Sequence, residues 1–151
     1  MQDIHHKSDE EKAKVEILLV EDNEGDVFLI KEVFGKAKIL NNIKVAHDGE
    51  TALSLLITEN YVPDLILLDL NLPKIGGMEL LRTLKKDEKT RKIPIIILTT
   101  SNADRDVKEA YANYVNSYIV KPIDIRKMIE IIQSIENFWV SIVRLPSETL
   151  P

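Results

Sequence analysis

The sequence predicts a doubly wound α/β fold, a parallel five-stranded sheet of order 2-1-3-4-5 with helices on both faces. Three observations predict it. Short apolar runs recur at residues 15–20, 43–46, 64–68, 94–98 and 117–120. Between them, apolar residues stand three or four apart, the period of a helix that buries one face. Turn-forming residues mark the boundaries. Strand and helix in strict alternation need crossovers, and right-handed crossovers lay the strands parallel.

Taken in order, Met1 to Ala13 are polar and charged, with too little apolar surface to offset the entropy of ordering them. They are expected to form a mobile tail, with His5 and His6 solvated in it. The run Val15 to Val20 is the first strand and closes on Glu21-Asp22; Val27, Ile30 and Phe34 mark the first helix. After the second strand, Asp48-Gly49 is a turn, and Ala52, Leu53 and Leu56 define the next helix. Pro63-Asp64 precede the third strand, which ends at Asp69, and Gly76-Gly77 open the helix of Leu80, Leu81 and Leu84. The fourth strand leads to Thr99-Thr100, then a helix carries Val107, Ala110 and Tyr111; the fifth leads to Lys121-Pro122. From Asp124 a last helix runs through Met128, Ile132, Ile135, Trp139 and Ile142. A second row, Ile131, Ile135, Phe138, Ile142 and Leu145, widens its apolar arc beyond what one sheet face needs. That width predicts a cover, either the domain's own core or a second copy docked over residues 125–145. The expected organisation is a tail over 1–13, a folded domain over 14–136 and an extension over 137–151.

At 151 residues, 44% hydrophobic and 30% charged, the chain has the size and composition of one folded domain. A formal net charge of -5, with Lys and Arg scattered, argues against a nucleic-acid partner. There are no cysteines, which excludes disulfides and thiolate metal sites. No segment has the length of a membrane span or the apolar core of a signal peptide, so a cytoplasmic protein with no membrane partner is expected.

The chemistry gathers at strand ends. Open parallel sheets bind ligands outside the carboxyl ends of their strands, at the point where strand order reverses, here between the first and third strands. Glu21-Asp22 and Asp69 would face one another across that crevice. Taken singly, Glu21-Asp22 could cap a helix and Asp69 could begin a turn. Together, three acids without a counter-ion repel and raise one another's pKa, which points to a hard cation. Mg²⁺ suits such a site, since it takes oxygen ligands and commonly one or two carboxylates plus phosphate oxygens. In that setting the Asp69 carboxylate can attack phosphorus, with Thr99 and Lys121 holding the incoming oxygens.

The motifs Val20-Glu21-Asp22-Asn23, Leu68-Asp69-Leu70-Asn71-Leu72-Pro73, Gly76-Gly77, Leu98-Thr99-Thr100 and Tyr118-Ile119-Val120-Lys121-Pro122, in this order, resemble the receiver domains of two-component response regulators. The resemblance covers about residues 15 to 136 and implies a flavodoxin-like, CheY-like (βα)5 domain that switches rather than turns over. It implies that Asp69 accepts a phosphoryl group from a sensor histidine kinase. It further implies that Asp22, Asp69 and the Asn71 carbonyl hold Mg²⁺, Glu21 acting through water, and that Thr99 and Lys121 grip the phosphoryl oxygens. Tyr118 resembles the family's aromatic switch, and Lys121-Pro122 the family's cis bond. Thr100 stands where the family usually has a smaller residue, which predicts slow dephosphorylation or selectivity among donors. Asn71 and Ser101 occupy positions that tune the attacking water. The extension from Phe138 to Pro146 resembles the tail of stand-alone receivers linked to phytochrome kinases. Two other classes share this topology. A phosphatase that forms an aspartyl phosphate typically has an acid two residues past the nucleophile, where Asn71 stands. A flavin or nucleotide-binding module would need a glycine-rich phosphate loop, which is missing.

Overall fold

In the computed structural model, which describes residues 14–139, strands and helices alternate as the apolar pattern predicts. Strands β1 (Val15–Val20), β2 (Asn41–Ala46), β3 (Leu65–Leu68), β4 (Ile95–Thr99) and β5 (Ser117–Val120) form one parallel sheet of order β2-β1-β3-β4-β5. The helices are α1 (Glu24–Gly35), α2 (Gly49–Leu53), α3 (Gly77–Lys86), α4 (Asp104–Ala112) and α5 (Ile125–Trp139). A π-helical turn, Ser54–Thr58, continues α2. The inner strands β3 and β4 are buried along their whole length, which is why they read as unbroken apolar runs. Edge strand β2 alternates, with Ile43 and Val45 turned toward the core.

Because successive residues of a strand point to opposite faces, the sheet divides the core in two. Leu18, Val20, Ile66, Leu68, Ile95 and Ile97 pack under α2, α3 and α4. Ile17, Leu19, Leu67, Ile96, Leu98 and Ile119 pack under α1 and α5. Tyr111, expected on the buried face of α4, is 49% exposed. The fully buried residue of that helix is Ala110, whose small side chain lets the helix lie close while the neighbouring ring stays outside. In α5, Met128 and Ile132 are buried and Ile131 and Ile135 are half-buried in the same core, so both apolar rows serve the domain over the described residues. The expectations placed on the side chains of Phe138, Trp139, Ile142 and Leu145, and on the 1–13 tail, lie outside the described residues.

Two turn signals have a specific job. Asp48 caps α2, its side chain accepting from the Thr51 amide at 2.7 Å. Gly77 permits a close approach: a Cβ there would sit 2.2 Å from the Asp69 carbonyl oxygen and 2.4 Å from the Leu70 Cα. The start of α3 therefore seats directly on the backbone that carries Asp69. Gly77→Ala is expected to destabilise the domain by about 1–3 kcal/mol through overpacking against main chain. A denaturant titration reads this as a lower midpoint with an unchanged slope; an unchanged midpoint would refute the close packing.

Candidate functional site

Register brings the acids together. Val20 of β1 lies opposite Leu68 of β3, so the next residues, Glu21 and Asp69, leave the sheet in step, and the Asp69 amide donates to the Val20 carbonyl at 3.0 Å. On the other side, Thr99 ends β4 opposite Val120, and the Lys121 amide donates to the Thr99 carbonyl at 2.7 Å. Glu21 and Thr99 are fully buried and Asp69 is 4% exposed, whereas Asp22 points to solvent. Glu21, Asp22 and Asp69 each offer a carboxylate oxygen within 4.8 Å of the others. The capping alternative for Glu21-Asp22 is decided by Asn23, whose side chain caps α1 by accepting from the Asp26 amide at 2.9 Å.

Among the described residues, one cation faces these acids. The Lys121 ammonium donates to Glu21 Oε1 at 2.8 Å and to Asp69 Oδ2 at 3.3 Å, and it forms an ion pair with Asp26, whose Oδ2 lies 2.7 Å away. Burial alone would lower the Lys121 pKa, but the contacts with Asp26 and Glu21 outweigh it and hold the ammonium well above its ordinary range. Burial pushes Glu21 up to about 7, against the pull of Lys121 and aided by repulsion from Asp69. Asp26 was not foreseen from the sequence. As a first-turn acid it reads as an ordinary complement to the helix dipole, and no spacing rule joins it to Lys121.

The remaining residues surround the carboxylate of Asp69. The Asn71 amide donates to Asp69 Oδ1 at 3.0 Å, and its side-chain NH₂ donates to Thr100 Oγ1 at 2.7 Å and to Thr99 Oγ1 at 3.3 Å. Thr99 Oγ1 also accepts from the Ser101 amide at 3.3 Å. The Tyr118 hydroxyl donates to the Ser101 carbonyl at 2.8 Å, and burial raises its pKa. The Lys121-Pro122 peptide is cis. All seven residues singled out from the sequence, Glu21, Asp22, Asp69, Asn71, Thr99, Tyr118 and Lys121, thus belong to one edge of the sheet.

The donor set fits a hard divalent cation. It offers carboxylate oxygens from a buried pair and one exposed acid, with no nitrogen or sulfur ligand in the cluster, and a single lysine to balance them. Between about 4.5 and about 7 the folded chain keeps a proton on Glu21 that the unfolded chain has lost. Stability should therefore fall as pH rises through this window, and Glu21→Gln should flatten that fall. A bound cation reverses the sign by favouring the ionised carboxylate. A divalent cation such as Mg²⁺, at a fixed concentration a hundredfold above its Kd at pH 8, should add about 2.7 kcal/mol there, or roughly 10 °C in melting temperature, and less at pH 5.5, where the proton on Glu21 weakens binding. Asp22→Ala should abolish most of the gain. Thermal melts with and without Mg²⁺ measure all three effects, and an Mg²⁺ shift independent of pH would refute the role of Glu21.

Comparison with known proteins shows the family. A family model described as the response regulator receiver domain matches residues 17–133. The chain is 37% identical over 145 residues to the response regulator Rcp1 of Synechocystis sp., covering 93% of this chain and 99% of that one. It is 38% identical over 134 residues to a probable methanogenesis regulatory protein, FilR2, of Methanothrix harundinacea, covering 86% of each. Among solved structures, the Mn²⁺-bound form of Rcp1 superposes with a TM-score of 0.74 at 38% identity, covering 91% of this chain and 99% of that one. The phosphorylated cyanobacterial phytochrome response regulator RcpA also gives 0.74, at 37% identity, covering 85% and 96%.

Proposed function

We propose a phosphorelay function on one premise: the chain belongs to the response regulator receiver domain family. In this reading Asp69 accepts a phosphoryl group from a phosphohistidine of a sensor histidine kinase, and the domain then changes a binding surface. The observation that carries it is the Lys121 ammonium lying 3.3 Å from the buried Asp69 carboxylate, with the Thr99 hydroxyl at the end of the neighbouring strand. A carboxylate oxygen of Asp69 forms the bond to phosphorus as the phosphorus–nitrogen bond of the donor breaks, and the imidazole leaves with the electron pair. Lys121 and Thr99 receive the phosphoryl oxygens, fixed charges and dipoles that need not reorganise during transfer. Asp22, Asp69 and the Asn71 carbonyl would hold Mg²⁺, with Glu21 through water. The ion would neutralise charge on the phosphoryl oxygens.

Asn71 counts against multiple turnover. A carboxamide does not ionise near neutral pH and so cannot act as a general acid or base, and its NH₂ is committed to Thr99 and Thr100. Thr100 is tied in this way to Asn71, whose amide donates to Asp69, and in this proposal its side chain shields the acyl phosphate. The switch follows from the contacts: if Thr99 Oγ1 turns to a phosphoryl oxygen, it releases the Ser101 amide, and the Ser101 carbonyl is what anchors Tyr118. The kinase is of the phytochrome kind in this proposal, supported by the likeness to RcpA. A homodimer through residues 125–145 belongs to the same proposal. Ile125 and Ile129 of α5 are 51% and 44% exposed and would supply apolar surface to it.

Acetyl phosphate with Mg²⁺ should add one phosphoryl group to the intact chain, read by mass spectrometry. Asp69→Asn should add none, and Lys121→Ala should slow the reaction at least about a hundredfold. A wild-type mass that does not change, or an Asp69→Asn variant that still gains the group, would refute the assignment. Thr100→Ala should shorten the lifetime of the phosphorylated state several-fold, measured by loss of the added mass after donor removal. An unaltered lifetime would clear Thr100 of shielding the acyl phosphate.

A further inference from the structure

The contacts of Lys121 are not equivalent. Three carboxylates lie within ion-pair distance of the ammonium, with Asp26 the nearest at 2.7 Å and Asp69 the farthest at 3.3 Å; the contacts to Glu21 and Asp69 are hydrogen bonds and that to Asp26 is an ion pair. Glu21 and Asp69 also belong to the cluster of acids able to hold a cation, while Asp26 does not. Two of the three partners of Lys121 are therefore open to recruitment by a metal. Asp26 alone is free to keep its hold. Its own position is set by the first turn of α1, where its amide is fixed by the Asn23 cap at 2.9 Å. The Lys121 side chain is 8% exposed and that of Asp26 25%, so the contact is partly shielded from water.

We propose that Asp26 is a positioning residue that tethers the Lys121 ammonium beside Asp69 before and during phosphoryl transfer, an inference that rests on Asp69 being the acceptor. The chemistry itself releases the donor that transfer needs. Formation of the acyl phosphate removes the charge of the Asp69 carboxylate and brings the charge of the phosphoryl oxygens to it, so the longest contact of Lys121, to Asp69 Oδ2, is the one exchanged. The ion pair with Asp26 persists and limits how far the long, four-carbon side chain can stray. Without it, Lys121 would have to be ordered at each transfer, a cost borne in the rate.

Two variants and two readouts test the tether. Asp26→Ala should slow phosphorylation by acetyl phosphate with Mg²⁺ about tenfold, while Asp26→Asn, which keeps an acceptor oxygen, should stay within about threefold of wild type. Independently of any phosphodonor, the Lys121 ammonium should give a slowly exchanging proton–nitrogen NMR signal, identified by its loss in Lys121→Arg. That signal should survive in Asp26→Asn and vanish in Asp26→Ala. An Asp26→Ala variant that reacts at the wild-type rate or faster, or that keeps the ammonium signal, overturns the tether. Should Asp26→Ala fail to fold, Asp26→Asn and Asp26→Ser carry the test: a signal lost in Asp26→Asn, or kept in Asp26→Ser, also overturns it. A wild-type chain that acetyl phosphate leaves unmodified refutes instead the role of Asp69, and with it the kinetic part of this proposal, while the ammonium signal still decides the contact.

Discussion

Two carboxylates cannot be buried side by side without a counter-charge, and the end of this sheet buries two. The pairing of β1 with β3 leaves no choice in the matter, since Val20 lies opposite Leu68 and the next residue of each strand is an acid. At about 5 Å, two such charges repel by roughly 3 kcal/mol in the effective dielectric of a protein. The fold meets this in two ways: Glu21 resists ionisation up to about 7, and Lys121 is drawn in from β5. Removal of Lys121 would leave acids uncompensated, a loss that is larger than the worth of any one of its contacts. Much of the local architecture can be read as support for this arrangement, including the bare Gly77 that lets α3 seat against the Asp69 backbone.

Strand ends were legible because they are marked twice, by the apolar run that precedes them and by the polar residue that follows. Val15 to Val20 is bounded in the structure as in the pattern, and the run at 64–68 starts one residue later, at Leu65, but ends where expected, and those ends place Glu21, Asp22 and Asp69. Strand order was narrowed by topology, because four right-handed crossovers admit few sheets, and the receiver-domain resemblance supplied the order itself. What the sequence could not carry is direction at the level of side chains. Asp26 and Asp106 are both first-turn acids of helices, yet the first meets Lys121 and the second meets Ser101. Helix periodicity likewise misplaced Tyr111, since it assigns a face but not how closely that face approaches the sheet. The π-helical turn after α2 has no counterpart in apolar spacing at all.

A route from the acceptor to the surface is visible in contacts that no motif announces. Thr99 holds the Ser101 amide, and the Ser101 carbonyl holds Tyr118. Each link is a single hydrogen bond, that at Thr99 a long one of 3.3 Å, and such a bond is worth about 1 kcal/mol net at most, so a group that competes for Thr99 Oγ1 has little to displace. The same hydroxyl is shared with Asn71, which also grips Thr100. In the proposed reading, the contacts beside Asp69 and the path away from it therefore meet at one threonine. A ligand shifts such an equilibrium only by the difference in its affinity for the two arrangements.

Charge sets the order in which the site can work. Glu21, Asp22, Asp26 and Asp69 stand against one lysine, so the fully ionised cluster carries a surplus of three negative charges. A phosphodonor is itself an anion and would be repelled from such a surface. A divalent cation brings the surplus down to one, and the approach of a phosphoryl group then becomes a matter of exchange among partners already present. In the proposed phosphorelay the cation would thus be a precondition of the encounter as much as a participant in the transfer. This also explains why an acid as far back as Asp26 matters: it adds to the surplus, so its presence is costly for anion binding unless it secures something in return. What it contacts most closely is the ammonium on which the incoming oxygens depend.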